Sequence, residues 1–90
     1  MLFEWDEEKN AANRKKHSID FRDAVLVFND PNAIEFYDAA HSIYEDRYNI
    51  IGMVDHVLFV VYTERKERVR IISARLATNV ERRWYDDRNL

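Results

Sequence analysis

The stretch "RVRIISARLATNVERRWYDD", Arg68 to Asp87, joins a strand pattern directly to the start of a helix. Its first part, "RVRIISAR", is rich in β-branched residues and follows a charged turn, as expected of a strand. Thr78 and Glu81 then have the S/T-x-x-E spacing of a capping box, which places the start of a closing helix here. A strand that leads into a final helix predicts a domain in which helices pack on a sheet.

Three more strand patterns lie upstream of this stretch. They are "AIEFY" (33–37), "DRYNIIGMV" (46–54) and "VLFVVYTE" (57–64). Only "DH" and "RKE" separate the last three strands, and connections this short join antiparallel neighbours. We therefore expect the last three strands to form an antiparallel meander.

The N-terminal part predicts a short strand, "FEW" (3–5), followed by two helices. Asp6 caps the first helix, whose acidic first turn and basic last turn complement the helix dipole. Its apolar face is little more than Ala11 and Ala12, so we expect this helix to be partly detached from the core. The second helix starts at Asp20 and has apolar residues at i, i+3, i+4 and i+7, which predicts one buried stripe. The residues of this stripe are Phe21, Ala24, Val25 and Phe28.

The complete order of elements is β-α-α-β-β-β-β-α, which predicts an α+β domain with helices packed on an antiparallel sheet. No linker, repeat or low-complexity segment divides the chain, so we interpret residues 1–90 as one domain. The lack of cysteine excludes a disulfide framework and a thiolate metal site. The N-terminal segment lacks the layout of a secretion signal, and the longest apolar run, "VLFVVY", is too short to cross a bilayer. We therefore expect a cytoplasmic protein without membrane contact.

Charge is distributed unevenly along the chain, whose net charge is -3. Residues 1–46 contain five basic and eleven acidic groups, whereas residues 64–83 contain seven basic and three acidic groups. Such asymmetry predicts an anionic partner for one face of the protein. The alternative is that charges of both signs simply alternate on a solvated surface.

The polar residues narrow the chemistry by elimination. The histidines, His17, His41 and His56, are too scattered for a zinc site. Gly52 is the only glycine, which excludes a glycine-rich phosphate loop, and no cofactor is expected. The remaining set of Arg, His, Glu and Tyr suits metal-free attack on a phosphodiester. In such a reaction a base takes the proton of a ribose 2′-OH, arginines stabilise the phosphate charge, and an acid protonates the leaving 5′ oxygen.

The segment "HSIYEDR" (41–47) contains one candidate set for this chemistry. Glu45 and Arg47 share one parity at the start of a strand, so we expect both to project to the same face, near His41. The alternative is a surface salt bridge beside a loop histidine.

The last two strands contain the other candidates. Tyr62 lies where strand 57–64 is expected to open into solvent. Arg70 and Arg75 fall on opposite faces of a regular strand, unless a bulge re-aims Arg75. The alternative for each arginine is a structural pair with a carboxylate.

Five segments of the chain resemble the BrnT family of type II toxin–antitoxin toxins. They are "FEWDEEKNAANRKKH", "FNDP", "VVYTER", "RIISARLAT" and "ERRWY", and the resemblance covers nearly the full chain. It implies a RelE-like ribonuclease fold, with a small twisted antiparallel sheet, two N-terminal helices and one C-terminal helix. It also implies metal-independent cleavage of RNA that blocks translation. Ser18 stands where the family usually has Gly, and Leu76 where it commonly has Lys or Arg.

The resemblance also implies roles for individual residues. Arg70 and Arg75 are assigned to the phosphate and the transition-state charge. The base is Glu45 or His41, and the acid is Tyr62 or an arginine. The predicted catalytic residues are His41, Glu45, Arg47, Tyr62, Arg70 and Arg75. The predicted RNA-binding residues, which include basic groups of the segment 64–83, are Lys16, Arg65, Arg68, Arg82, Arg83 and Tyr85.

A second protein is implied as well. It is a BrnA-type antitoxin, which binds operator DNA, represses the shared promoter and supplies the dimer of a two-to-two heterotetramer. An edge strand of the sheet and the first helix are the expected docking surfaces. Two alternatives stay open: a catalytically inactive binding module that acts with the DNA-binding antitoxin as co-repressor, and a structural partner without RNA contact.

Overall fold

The computed structural model describes residues 1–89, which form one sheet and three α-helices in the predicted order β-α-α-β-β-β-β-α. The strands are β1 (Leu2–Glu4), β2 (Ile34–Tyr37), β3 (Tyr48–Val54), β4 (His56–Arg65) and β5 (Arg68–Leu76). The helices are α1 (Glu7–His17), α2 (Phe21–Ala24) and α3 (Asn79–Arg88), with 3₁₀ helices at Val25–Asn29 and Ala39–His41. None of the helices within residues 1–89 combines the length and the apolar character needed to cross a membrane.

The five strands lie in the order β1-β5-β4-β3-β2. The predicted antiparallel meander of β3, β4 and β5 is confirmed, and β2 pairs antiparallel with β3. The prediction of a wholly antiparallel sheet is wrong at one edge, because β1 runs parallel to β5. The chain leaves β1 through α1 and α2 and enters the sheet again at the opposite edge, so β5 reaches β1 in the same direction.

A β-bulge interrupts the pairing of β4 with β5. Val61 lies opposite Ser73, but the next residue, Tyr62, lies opposite Ile71. Ile72 is therefore an extra residue in β5. Because side chains alternate along a strand, an extra residue changes which face the following side chains occupy.

The bulge brings Arg70 and Arg75 to the same face of the sheet. Arg70 lies opposite Thr63, and Arg75 lies opposite Phe59. Both β4 residues alternate with Val60, which is buried in the core under the helices, so both point away from α1 and α2. In a regular strand the two arginines would point to opposite sides. The bulge that would re-aim Arg75, which the sequence analysis gave as an alternative, is therefore present in β5.

The larger core lies between the sheet and α2 with its 3₁₀ continuation. Phe21 and Ala24 are fully buried, as the helical spacing predicts. Val25 and Phe28 are half-buried and pack against the same core, which confirms the predicted stripe, and the tighter 3₁₀ turn adds Val27, which is completely buried. A Cβ on Gly52 would lie 3.1 Å from the Val27 Cβ, so a glycine in β3 permits this close packing.

Helix α1 is docked by two buried asparagines, Asn13 against β5 and Asn10 against the start of α2. The Asn13 amide donates to the Ala74 carbonyl at 2.9 Å and accepts from the Ala74 N–H at 3.1 Å, as a neighbouring strand would. It also donates to the Ile19 carbonyl at 2.9 Å, while Asn10 accepts from the Phe21 N–H at 2.9 Å. The prediction of a partly detached helix is therefore wrong, because polar side chains dock it in place of an apolar face.

Ser18 ends α1 in the left-handed conformation, with φ 60° and ψ 27°. Glycine adopts this conformation freely, whereas other residues are strained there. We expect Ser18→Gly to raise the free energy of unfolding by about 0.5 to 1 kcal/mol, measured by urea denaturation. The matched control is Lys15→Gly, in the exposed interior of the same helix, which should lower it by a similar amount. A loss of stability in both variants would contradict the strain at Ser18.

Candidate functional site

The face of the sheet that points away from α1 and α2, which we call the open face, carries a group of arginines. Helix α3 covers one end of this face, where Tyr85 packs with Ile51 and Val57. Strand register and mutual contacts place five arginines on the uncovered part. They are Arg47, Arg65, Arg68, Arg70 and Arg75. Cations that are distant in the chain therefore share one surface.

Arg70 and Arg75 are both paired with carboxylates. Nη1 of Arg70 lies 2.6 Å from Oε2 of Glu4, on the neighbouring strand β1. Arg75 donates two hydrogen bonds to Glu81, of 2.7 and 3.0 Å, and its guanidinium lies 4.2 Å from the centre of the Phe59 ring. A bidentate pair is stronger than a single contact, so Arg70 is the more readily released to another anion.

Glu45 connects the candidate residues of the loop before β3. Its carboxylate accepts a hydrogen bond from Arg65 at 3.1 Å and lies 3.6 Å from Nη2 of Arg47. Glu45 and Arg47 do lie side by side, but in the surface salt bridge that the alternative interpretation expects, and both precede the strand, which begins only at Tyr48. Two guanidinium groups therefore occupy this carboxylate. Arg68 makes no ion pair within residues 1–89.

Glu81 fixes α3 to β5. The predicted capping box with Thr78 is confirmed, and the same carboxylate holds Arg75. The hydrogen bond from Arg75 lowers the pKa of Glu81 below its ordinary value, although burial opposes this change. Arg75 is thus a structural link between strand and helix, as the alternative interpretation of this arginine expects.

His41 forms a hydrogen-bonded dyad with Asp38, a residue that the sequence analysis missed. Nδ1 of His41 lies 2.9 Å from one carboxylate oxygen of Asp38, and the His41 N–H donates to the other at 3.3 Å. Burial alone would raise the pKa of Asp38, but hydrogen bonds from His41 and Asn49 lower it. The carboxylate therefore holds the ring through Nδ1 and leaves Nε2 as a proton acceptor on a side chain that is 73% exposed.

The dyad lies at the rim of the open face. Asp38 directly follows β2 and lies two positions after Phe36, whose ring contacts Phe59 on this face, so alternation places Asp38 on the same side of the sheet. The spacing of "DAAH" (38–41) is the signal that could have found the dyad, because residues three apart meet on the same side of a 3₁₀ turn.

The loop that carries His41 and Arg47 is anchored by short hydrogen bonds. The Ser42 hydroxyl donates to the Asp38 carbonyl at 2.6 Å and accepts from the Arg47 N–H at 2.9 Å. The hydroxyl of a β4 residue, Thr63, donates to the loop at the carbonyl of residue 46. These bonds fix the histidine and the arginine relative to the sheet.

The two tyrosines predicted for the site are buried. Tyr62 is 4% exposed, lies between Phe28 and Tyr48 in the core on the helix side, and has its pKa raised by burial. Tyr85 is 8% exposed and donates to Asp30 at 2.6 Å. The expectation that β4 opens into solvent at Tyr62 is therefore wrong, because neighbouring aromatic rings cover it. Neither hydroxyl is placed to touch a ligand on the open face.

The other predicted RNA-binding residues lie on the surface. Arg65 and Arg68 are opposite each other at the turn between β4 and β5, where they line an open depression of about 690 Å³ with Glu4 and Lys66. Within residues 1–89 no three His, Asp or Glu side chains are grouped so that they could hold a metal ion. The remaining three predicted RNA-binding cations are exposed outside the open face, Lys16 on α1 and Arg82 and Arg83 on α3.

The hydrogen bond between Tyr85 and Asp30 makes stability depend on pH. Burial and the bond to Asp30 raise the pKa of Tyr85 to about 12. Burial alone would also raise the pKa of Asp30, but the hydrogen bonds from Tyr85 and Met53 lower it below its ordinary value. The raised pKa stabilises the fold below the ordinary tyrosine value of about 10, and this contribution is lost as pH rises through about 12. The lowered carboxyl pKa stabilises the fold above about pH 4, and this contribution is lost at lower pH.

We expect Tyr85→Phe to lower the free energy of unfolding by about 1 kcal/mol near neutral pH, because one buried hydrogen bond is lost. The difference from the parent should shrink as pH rises from about 10 to about 12, since the parent then loses the same contribution. Urea denaturation at several pH values measures this. Tyr44→Phe, at a side chain that is 99% exposed, should leave stability unchanged. A pH-independent difference for Tyr85→Phe would refute the linkage.

Comparison with known proteins identifies one family. Residues 5–81 match the family model described as "Ribonuclease toxin, BrnT, of type II toxin-antitoxin system". No curated protein matches the chain significantly. The matched range contains the His41–Asp38 dyad, the five arginines of the open face and two of their carboxylate partners, Glu45 and Glu81.

Proposed function

Because the chain belongs to the BrnT family of ribonuclease toxins of type II toxin–antitoxin systems, we propose that it is a metal-independent endoribonuclease that inhibits translation in the cytoplasm. The observation that supports this proposal is a carboxylate-held imidazole at the rim of an open face that carries five arginines. A proton acceptor beside several phosphate-binding groups is the minimum set for cleavage through the 2′-OH.

His41 is the base in this proposal. Its Nε2 takes the proton of a ribose 2′-OH, and the resulting O2′ attacks the adjacent phosphorus. A 2′,3′-cyclic phosphate forms as the bond from phosphorus to O5′ breaks, and O5′ takes a proton from water. We prefer His41 to Glu45 because two arginines already occupy the Glu45 carboxylate.

Arg70 is the preferred cation for the phosphate. It has a single contact with Glu4 and its side chain is about a quarter exposed, so a phosphate oxygen can replace the carboxylate. Arg47 supports the same charge from the loop, and Arg70 also donates a hydrogen bond to the leaving O5′. Tyr62 has no part in the proposed reaction because it lies in the core on the other side of the sheet.

The test uses the chain purified free of any partner. It should cleave RNA in the presence of EDTA and leave fragments that end in cyclic phosphate, and its expression should arrest growth. Arg70→Ala should lose about 10² to 10³ in rate, by analogy with loss of an oxyanion donor. Intact RNA after incubation with the parent chain would rule out the proposed reaction.

The pairing of Arg70 and Arg75 with carboxylates favours a second candidate function. In it the chain is a catalytically inactive binding module that acts with a DNA-binding antitoxin as co-repressor. Growth after expression separates the two candidates, because a pure binding module leaves cells growing.

We also propose a RelE-like fold and a BrnA-type antitoxin as partner, in a two-to-two complex whose antitoxin binds operator DNA. Strand β2 is the edge that best suits strand addition, since the opposite edge is the three-residue strand β1, beyond which Asn13 of α1 already bonds to β5 at Ala74. Light scattering that gives a one-to-one complex would contradict the stoichiometry.

A further inference from the structure

A series of aromatic rings lies on the open face next to Arg75. The Phe59 and Phe36 ring centres are 6.2 Å apart, the Phe36 and Trp84 centres are 6.3 Å apart, and both pairs meet edge to face. The Arg75 guanidinium lies over the first ring of the series, Phe59. At the other end, Phe36 is 37% and Trp84 49% exposed. We call these two exposed rings the aromatic platform.

The charge balance of the open face makes the aromatic platform important for binding RNA. Four of the five arginines have carboxylate partners, which lowers the net positive charge of this face. The salt-dependent attraction of RNA that comes from displaced counterions is correspondingly small. Stacking of a base on an aromatic ring does not depend on net charge, and loss of such a ring weakens binding about 5- to 150-fold.

We infer that the aromatic platform binds an unpaired base of single-stranded RNA, which stacks on Trp84. This inference rests on the proposed function and extends it to substrate binding. Asp38 directly follows β2 and lies two positions after Phe36, so the platform and the His41–Asp38 dyad lie on the same side of the sheet. A base that stacks on Trp84 thus determines which ribose of the RNA chain lies at the His41–Asp38 dyad.

The surroundings of Trp84 favour RNA over a protein partner. Arg88 is one helical turn beyond Trp84 on the same side of α3, and Arg83 is adjacent to it; both are exposed. Asp87, three positions beyond Trp84, offsets one of these two charges. Cations beside a flat apolar ring match the phosphates and bases of a nucleotide chain. An apolar protein segment would instead have to bury these charges.

Trp84 fluorescence measures the binding directly. The Trp5→Phe variant retains Trp84 as its only tryptophan. The probe is a short single-stranded oligonucleotide with 2′-O-methyl sugars, which carries bases and phosphates but no 2′-OH for cleavage. We expect saturable quenching by this oligomer, and no quenching by an abasic oligomer with the same number of phosphates.

Substitution of the platform supplies the second measurement. Trp84→Ala should raise the Kd of the fluorescently labelled 2′-O-methyl oligomer about 5- to 150-fold, and Trp84→Phe should raise it less, because a smaller ring remains. Val80→Ala is the matched control, since Val80 lies on the same helix and is 47% exposed. It should change the Kd by less than about twofold. Circular dichroism checks that each variant is folded.

The inference would be overturned by equal quenching by the abasic oligomer, by no quenching by the base-containing oligomer, or by an unchanged Kd for Trp84→Ala. Quenching by the purified antitoxin alone would assign the platform to a protein partner and would also overturn it. The uncleavable probe separates this test from the proposed function. If the chain binds the oligomer through Trp84 but leaves RNA intact in EDTA, the platform inference stands and the proposed nuclease function is wrong. If the chain cleaves RNA but Trp84→Ala does not change the Kd, the nuclease function stands and the platform inference is wrong.

Discussion

Asn13→Ala is expected to lower the free energy of unfolding by about 3 to 5 kcal/mol. Asn13 is 7% exposed and makes three hydrogen bonds to backbone groups of Ala74 and Ile19. Alanine leaves two carbonyls and one N–H buried without partners, and each such group costs about 1 to 3 kcal/mol. Urea denaturation measures the change, and an unchanged m-value shows that unfolding is still two-state.

Two further variants test whether the loss of stability comes from the hydrogen bonds of Asn13. Lys15→Ala, at an exposed position of the same helix, should change stability by no more than about 0.5 kcal/mol. Asn13→Asp retains an acceptor for the Ala74 N–H but loses both donated bonds and buries a charge, so it should destabilise at least as much as alanine. A loss of less than about 1 kcal/mol for Asn13→Ala would mean that other contacts dock α1.

His41→Ala is expected to lower the rate of RNA cleavage by about 10² to 10⁴, the usual contribution of a general acid or base. The side chain is 73% exposed and its ring bonds only to Asp38, so the fold should be unaffected. Single-turnover kinetics with excess protein measure the chemical step. Asp38→Asn should also lower the rate while leaving RNA affinity unchanged, because Asp38 orients the ring without touching the substrate.

His56→Ala is the matched control for the base. His56 is an exposed histidine at the start of β4, the opposite end of the strand from Arg65 and the Glu45 loop. Its removal should leave the rate unchanged. If His41→Ala cleaved RNA as fast as the parent, Glu45 would become the preferred base, and Glu45→Gln would be the next variant to measure.

The order of elements was predictable because its signals are local. Strand patterns, short connections and the capping box of Thr78 with Glu81 each involve residues within a few positions of one another. The structure contains all of these features. The second turn of α2 was predicted as α-helix and is 3₁₀, because close packing of Val27 against Gly52 of β3 overrides local propensity.

The candidate site was predictable in part. The basic segment 64–83 and the segment "HSIYEDR" contain most residues of the open face and the histidine at its rim. Alternation could not show that Tyr62 is buried, since both sides of β4 have the same pattern and the helices decide which side is covered. Asp38 was missed because a carboxylate three residues before a histidine is common on protein surfaces.

The sequence by itself determined the helices, the strands, their order and the concentration of arginines late in the chain. Only the tertiary structure decided that Arg70 and Arg75 share a face, through the bulge at Ile72, and that Asn13 docks α1 on Ala74. The reason is physical: strand register and the partner of a buried amide depend on the free energy of contacts between residues far apart in the chain. Asn13 and Ala74 are 61 positions apart, and no local pattern encodes their pairing.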